Sequence, residues 1–273
     1  MPDVTVNHLR FNVQTLGDPS GAPVVMAHGM LTGNVASWYF GLAPVVARDH
    51  FVFLYDQRGH GRSERPASGY TLTQLADDMD RVTDGLGPCT VVGHSYGGVV
   101  ALRHAIDRPD RVTSLVLVDS FVPTALTTPS TGDDPGLEMV TGSDGRPGDG
   151  RAWRPARRPS TPGAPASGGR RHRARAEQAL LEGTTVLQDL RDDSSLDPVG
   201  LAELDVPVLC AVGADSPFRG EVEALADRLP AERRHVHVLP GGPALHLDAP
   251  EPLADLVTGF LDQNDQERVG SRV

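Results

Sequence analysis

The residue of this sequence best placed to do chemistry is Ser95, within the run Gly93–Gly98 (GHSYGG). A β-branched segment before the run predicts a strand, and apolar residues at helical spacing after it predict a helix. A serine between a strand and a helix sits on a tight turn, and the glycines prevent collisions with both elements. The Tyr96 N–H then lies at the positive end of the helix, where an oxyanion would form. Ser95 is therefore predicted to be a nucleophile.

A second oxyanion donor is expected at the end of an earlier apolar strand, in Val24–Met30 (VVMAHGM). Gly29 lets the chain turn toward Ser95, so the Met30 N–H is the candidate donor. The side chain of His28 is interpreted as structural. A later segment, Tyr55–Ser63 (YDQRGHGRS), is interpreted as a glycine-rich turn held together by its Asp and Arg.

These residues need a framework, and the pattern of the chain predicts one. Short β-branched runs alternate with longer helical patterns, which is typical of a parallel sheet covered on both faces. The predicted strands are Leu9–Gln14, Val24–Ala27, Phe51–Leu54, Thr90–Val92, Ser114–Val118, Val206–Val212 and His235–Leu239, with an antiparallel edge pair within Val4–Gln14. The predicted helices are Tyr70–Leu86, Tyr96–Asp107, Gly220–Leu229 and Pro252–Leu261.

One long segment, Thr124–Arg175, does not follow this alternation. It is rich in Pro, Gly, Ser and Arg and shows no apolar periodicity. Such composition predicts an irregular or disordered insert. Its arginines could bind an acidic partner, but we favour a solvated linker because aromatic residues are nearly absent and the chain is acidic. Regular helix is predicted to resume near Ala176–Asp189.

The bulk composition excludes several classes of function. The formal net charge of −11 argues against a nucleic-acid or anionic-membrane binder. All 25 basic residues are arginine, so a Walker-type loop, a Schiff base and a catalytic lysine are excluded. Two cysteines predict neither a disulfide framework nor a zinc site. No signal peptide or membrane helix is visible, so a cytoplasmic protein is expected.

Taken together, these motifs resemble the α/β-hydrolase superfamily, in particular its single-domain esterase, lactonase and thioesterase branches. The motifs are the His-Gly after one strand, Asp56–Ser63 (DQRGHGRS) after the next, and the GHSYGG run. The resemblance is specific over residues 20–120 and looser over 200–262. It implies a mostly parallel sheet of about eight strands with helices on both faces. The core would comprise residues 1–123 and 191–273, with an atypical low-complexity cap insertion at 124–190 that is irregular to about 175.

The acid of the implied triad has two candidates. In the family it follows the strand that corresponds to Val206–Val212, three residues after a glycine. Here that count places Ser216, with Asp215 one residue earlier. The alternative is Asp119, directly after Ser114–Val118, where some branches carry their acid. We favour Asp215 and keep Asp119 as the second candidate.

The base of the triad departs further from the family pattern. Alignment on Pro250 and Glu251 places Pro243 at the position of the family's catalytic histidine. His246 lies three residues later, where related sequences often carry a second, non-catalytic histidine. His246 is therefore predicted to be the base, through a rebuilt loop, or else the triad lacks a base. His235 and His237 share a strand face, and a half-buried strand is preferred there over a metal pair.

The resemblance implies two functions. The first is a metal- and cofactor-independent serine hydrolase that cleaves an ester, thioester or lactone of a small acyl substrate. The second, which Pro243 motivates, is a non-hydrolytic or impaired member of the fold that binds or cyclises a small acyl or polyketide-like molecule. The substrate is expected to be a small molecule rather than a nucleic acid or membrane.

Overall fold

The sheet of the protein is built from strands in both halves of the sequence. The computed structural model describes residues 3–31, 33–121, 168–192 and 196–270. In these ranges the strands are β1 (Asp3–Val6), β2 (Leu9–Leu16), β3 (Pro23–Ala27), β4 (Phe51–Tyr55), β5 (Cys89–His94), β6 (Val112–Val118), β7 (Val208–Gly213) and β8 (Arg234–Leu239). They form one sheet in the order β1-β2-β4-β3-β5-β6-β7-β8. Only the β1–β2 and β2–β4 pairs are antiparallel. The predicted eight-stranded, mostly parallel sheet is confirmed.

Helices pack on both faces of this sheet. Within the same ranges they are α1 (Ala36–Tyr39), α2 (Leu42–Val46), α3 (Leu72–Val82), α4 (Tyr96–Asp107), α5 (Gly168–Gly183), α6 (Val186–Asp192), α7 (Pro198–Ala202), α8 (Arg219–Ala226), α9 (Leu245–Asp248) and α10 (Pro250–Gly270). Successive side chains along a strand point to opposite faces. Val25 therefore packs in one apolar cluster, with α3, α4 and α8, while Val24 and Met26 pack in another, with α2 and α10.

Several element boundaries differ from the predictions. Strand β7 begins at Val208 rather than Val206, because Pro207 has no N–H for the ladder. Helix α10 begins at Pro250, since a proline is well tolerated in the first turn of a helix. Helix α5 begins at Gly168, so the insert is not irregular to about residue 175; the arginines of this stretch are good helix formers. The rest of the predicted irregular insert, up to residue 167, lies outside the described residues.

Two further features concern the whole fold. Both cysteines, Cys89 and Cys210, are buried and form no disulfide. Among the described helices, none is long and apolar enough to cross a membrane.

Candidate active site

Ser95 lies on a strained turn between β5 and α4. Its backbone has φ 52° and ψ −127°, a conformation that residues other than glycine rarely adopt. Its N–H donates to the Val118 carbonyl at 2.9 Å, which ties the turn to the end of β6. A Cβ at Gly93 would overlap the backbone of Gly98, and one at Gly97 would overlap the His28 carbonyl. The glycines are therefore required by close approach, as the motif predicts.

A cavity of about 320 Å³ opens beside Ser95. Its lining includes three further predicted site residues: Met30, Asp119 and His246. Asp215 is not among the lining residues, and it is exposed to solvent. Its N–H donates to the Gly241 carbonyl at 2.9 Å, within the loop after β7. The structure thus brings Ser95, His246 and Asp119 together around one cavity and leaves Asp215 outside it.

The loop that carries Met30 is held by two buried histidines. The Nδ1–H of His28 donates to the Gly29 carbonyl at 2.8 Å, while its Nε2 accepts from the Gln57 N–H at 3.0 Å. In the same way, the Nε2 of His60 accepts from the Leu31 N–H at 2.9 Å. An imidazole nitrogen that accepts a hydrogen bond carries no proton, so both rings are neutral.

The surroundings of these histidines stabilise the neutral form. Burial is the main cause that lowers the pKa of His28 to about 4 and that of His60 to about 3. The ring centroids lie 5.1 Å apart, so a charge on one ring would also oppose a charge on the other. His60 contacts the loop that carries Met30, and the sequence analysis did not predict this contact. The only indication in the sequence was the position of His60 in the glycine-rich turn.

Asp119 is a buried carboxyl group at the end of β6. The residue is 1% exposed and has a positive φ of 45°, and its N–H donates to the Ala211 carbonyl at 2.8 Å. Its Oδ1 accepts from the Gly213 N–H at 3.3 Å. Among the described residues, its Oδ2 has no hydrogen-bond partner.

The environment of Asp119 shifts its titration. Burial raises the pKa of Asp119 to about 6, with the Ser216 hydroxyl and the Gly213 N–H opposing the shift and the negative charge of Asp248 adding to it. Ser216 occupies the position where the family pattern places the acid, and it is buried. At the position where the family pattern would place a carboxylate, this protein therefore has the Ser216 hydroxyl group, which lies beside the Asp119 carboxyl group.

His246 belongs to a cluster of aromatic rings that includes His94, the residue before Ser95. Its ring centroid lies 4.7 Å from that of His94 and 5.5 Å from that of Trp38, which is fully buried. The Nε2–H of His94 donates to the Pro243 carbonyl at 2.8 Å. Burial lowers the pKa of His94. His94, the neighbour of Ser95, therefore holds the loop that carries proline in place of the family's histidine, a contact that the sequence did not indicate.

The other two histidines that the sequence analysis singled out, His235 and His237, do not line this cavity. His235 and His237 are exposed on β8, and the ring of His235 packs against Phe260 at 5.9 Å. No group of three or more His, Cys, Asp or Glu side chains that could hold a metal ion occurs in the part of the chain that the structure describes.

Comparison with known proteins identifies the family of this chain. A family model described as alpha/beta hydrolase fold matches residues 22–250. The chain belongs to the α/β-hydrolase family. A RutD protein of Variovorax paradoxus, named for carbamate hydrolysis, is 40% identical over 110 residues, which are 38% of this chain and 40% of that protein. The chain thus aligns with about two-fifths of that relative's length.

Solved structures of the family share the fold. Est816, described as an N-acyl homoserine lactone degrading enzyme, has a TM-score of 0.70 at 24% identity, and the match covers 95% of this chain and 100% of that chain. An enol-lactonase from Burkholderia xenovorans has a TM-score of 0.70 at 17% identity, over 96% and 100% of the two chains. At these identities the likeness establishes the fold alone.

Proposed function

We propose that this protein is a serine hydrolase that cleaves an ester, thioester or lactone of a small acyl substrate through an acyl-enzyme. The observation that carries the proposal is the strained turn of Ser95, which faces a cavity also lined by Met30, His246 and Asp119. Attack by the Ser95 Oγ places negative charge on the carbonyl oxygen, and the N–H groups of Met30 and Tyr96 stabilise it. Water then releases the acyl group. The names of the RutD relative and of the lactonases are consistent with acyl chemistry.

In this mechanism His246 takes the proton of Ser95, and Asp119 balances the imidazolium charge. His246 is the histidine of the cavity that follows β8, as the base does in the family. Asp119 replaces Asp215 as the favoured acid because it is buried and lines the cavity, whereas Asp215 is exposed and does not. The reaction as proposed needs neither a metal nor an organic cofactor.

A specific observation favours the second function, an impaired or non-hydrolytic protein that binds or cyclises a small acyl or polyketide-like molecule. Pro243 stands where the family's histidine would be, and the Asp119 Oδ2 has no partner among the described residues. A catalytic acid that orients its base would use that oxygen. Without a base, only the oxyanion donors and substrate binding could lower the activation barrier.

Labelling and turnover separate the two functions. The wild-type protein is incubated with a fluorophosphonate probe and, separately, with a p-nitrophenyl ester, beside Ser95→Ala and His246→Ala. The hydrolase requires labelling and turnover that are lost in both variants. Ser20→Ala and His237→Ala are matched controls, since both side chains are exposed and neither lines the cavity. Labelling that survives in His246→Ala would remove His246 as the base, and a protein that neither reacts nor turns over would support the second function.

A further inference from the structure

The loops that follow β6 and β7 meet at Asp119, the favoured acid of the proposed mechanism. At the end of β7, the Gly213 N–H donates to the Asp119 Oδ1 at 3.3 Å. Two residues beyond Asp119, the ring of Phe121 stacks on that of Phe218 with a centroid distance of 4.3 Å. Ser216 lies between Gly213 and Phe218 along the chain. It therefore belongs to the part of the β7 loop that packs against the acid.

The hydroxyl group of Ser216 has a proton to donate. The side chain is buried, and its Oγ accepts from the Phe218 N–H at 3.3 Å. A hydroxyl group that accepts from an amide still carries its own proton, and a buried donor of this kind requires an acceptor. The Asp119 carboxyl group lies beside the hydroxyl group and supplies that acceptor.

A hydroxyl group suits position 216 because Asp119 already provides a carboxylate there. Two carboxylates side by side in a buried place repel each other, so one of them would hold a proton at neutral pH. A hydroxyl group adds no charge, and by donating it stabilises the ionised form of its neighbour. The serine at the family's acid position is thus the chemical complement of an acid that follows β6 instead.

Other influences on Asp119 act against its ionisation. Burial and the negative charge of Asp248 both raise the pKa of Asp119, and Asp248 is exposed to solvent on α9. The Ser216 hydroxyl and the Gly213 N–H act in the opposite direction. The remaining titratable side chains on the elements around the carboxyl group are those of His94, His246 and the exposed Asp215.

We propose that Ser216 is a positioning residue for the acid, whose hydroxyl group donates to the Asp119 carboxyl group and keeps it ionised. An ionised acid can balance the imidazolium that forms when His246 takes the serine proton. For this role the inference rests on the proposed function, but the effect of Ser216 on Asp119 requires no reaction. Because the same Oγ accepts from the Phe218 N–H, Ser216 also connects the acid to an aromatic ring of the cavity wall.

Titration of the Asp119 carboxyl group tests the inference directly. The protein is labelled with carbon-13 at its aspartate carboxyl groups, and the NMR signal of Asp119 is the one that Asp119→Asn removes. In wild type the pKa of Asp119 is about 6. Ser216→Ala should raise this pKa by about one unit or more, because a hydrogen bond to a charged group contributes that much. An unchanged or lower pKa in Ser216→Ala would overturn the inference.

Ser114→Ala is the matched control for this titration. Ser114 is also buried and lies on β6, but its hydroxyl group pairs with that of Thr90 at 2.7 Å. The pKa of Asp119 should therefore stay at its wild-type value, and a shift as large as that in Ser216→Ala would count against the inference. If Ser216→Ala fails to fold, as judged by its thermal melt, Ser216→Cys decides by the same criterion, since a thiol of similar shape is a weaker donor.

Activity at two pH values separates this inference from the proposed function. With a p-nitrophenyl ester, the ratio of kcat in Ser216→Ala to kcat in wild type should be about fivefold lower at pH 6 than at pH 8.5, where the carboxyl group is ionised in both proteins. An equal ratio at both pH values would limit Ser216 to a structural role and overturn its part in the reaction.

The two readouts fail in different ways. A raised pKa of Asp119 in Ser216→Ala, in a protein that turns over no ester, would contradict the hydrolase and support the effect of Ser216 on the acid. Turnover that depends on Ser95, with the same Asp119 pKa in Ser216→Ala as in wild type, would support the hydrolase and overturn the inference.

Discussion

The Nε2–H of His94 donates to the carbonyl oxygen of Pro243 at 2.8 Å, which joins the turn of Ser95 to the loop after β8. In the family pattern this loop carries the catalytic histidine, and here it carries proline. The ring of His246 lies against His94 with a centroid distance of 4.7 Å. The hydrogen bond and the ring contact together therefore connect the turn of Ser95 to both positions from which a base could act.

Pro243→His tests whether the site is short of a base. Position 243 lines the cavity of Ser95, so a histidine there would be a second group able to accept the serine proton. Because the proposed mechanism already assigns the base to His246, we expect kcat/KM for a p-nitrophenyl ester to change by less than about threefold, whereas supplying a missing base would raise it by roughly 10²–10⁴-fold. Pro240→His is the control, since Pro240 is exposed in the same loop. A rise of about tenfold or more in Pro243→His alone would show that His246 is not an adequate base and would support the second function.

Asp119→Asn and Asp215→Asn distinguish the two candidate acids by activity. Asp119 is buried and lines the cavity, while Asp215 is exposed outside it. Asp119→Asn should lower kcat by roughly 100-fold or more, because an amide cannot balance the imidazolium charge. Asp215→Asn should change kcat by less than about twofold. The opposite ranking of the two variants in steady-state assays would restore Asp215 as the acid.

The pH dependence of stability should carry the signature of Asp119. Its pKa is raised from 3.8 to about 6, so the folded protein binds more protons than the unfolded chain between these values. This group therefore destabilises the folded state as pH rises through about 4 to 6, by up to about 3 kcal/mol at neutral pH. Asp119→Asn should unfold at higher urea concentration than wild type at pH 7.5 and at the same concentration near pH 3.5. A variant that is less stable at pH 7.5 would contradict the assignment.

The buried histidines should make the fold sensitive to acid. The folded-state pKa values of His28 and His60 lie at about 4 and about 3, below the ordinary value of 6.5. As pH falls, these histidines are therefore protonated in the unfolded chain before they are protonated in the folded protein. The free energy of unfolding should thus decrease as pH falls below about 6.5. In urea titrations, His60→Phe should flatten this loss between pH 6.5 and 4, relative to wild type. An unchanged slope would show that His60 does not titrate in this way.

His60→Phe also tests whether the Met30 loop is positioned for catalysis. The substitution keeps a ring but removes the acceptor of the Leu31 N–H, next to the proposed oxyanion donor. Because the oxyanion exists only in the transition state, kcat should fall about tenfold while KM changes little. Partial recovery of kcat in His60→Gln, whose side-chain oxygen can accept a hydrogen bond, is the expected companion result. A drop in thermal stability with kcat unchanged would limit His60 to a structural role.

Much of the framework of the site follows from the sequence because its causes are local. Ser95 lies within a few residues of the strand before it, the glycines around it and the helix after it. Steric collisions among these neighbours leave one allowed backbone conformation for the turn. The alternation of β-branched runs with helical patterns likewise predicts the parallel sheet. Even the start of α4 at Tyr96 is the predicted residue.

The acid, the base and the chemistry of the cavity depend on tertiary structure, for a physical reason. Asp119 and Asp215 each follow a strand of the predicted parallel sheet, β6 and β7, so the sequence alone allows either side chain to lie near Ser95. The fold buries Asp119 beside the cavity and exposes Asp215, which no pattern of nearby residues predicts. Similarly, His94, Pro243 and His246 come together only because β5 and the loop after β8 end at the same edge of the sheet. Burial and proximity arise between distant segments, and they determine which carboxyl lines the cavity beside Ser95.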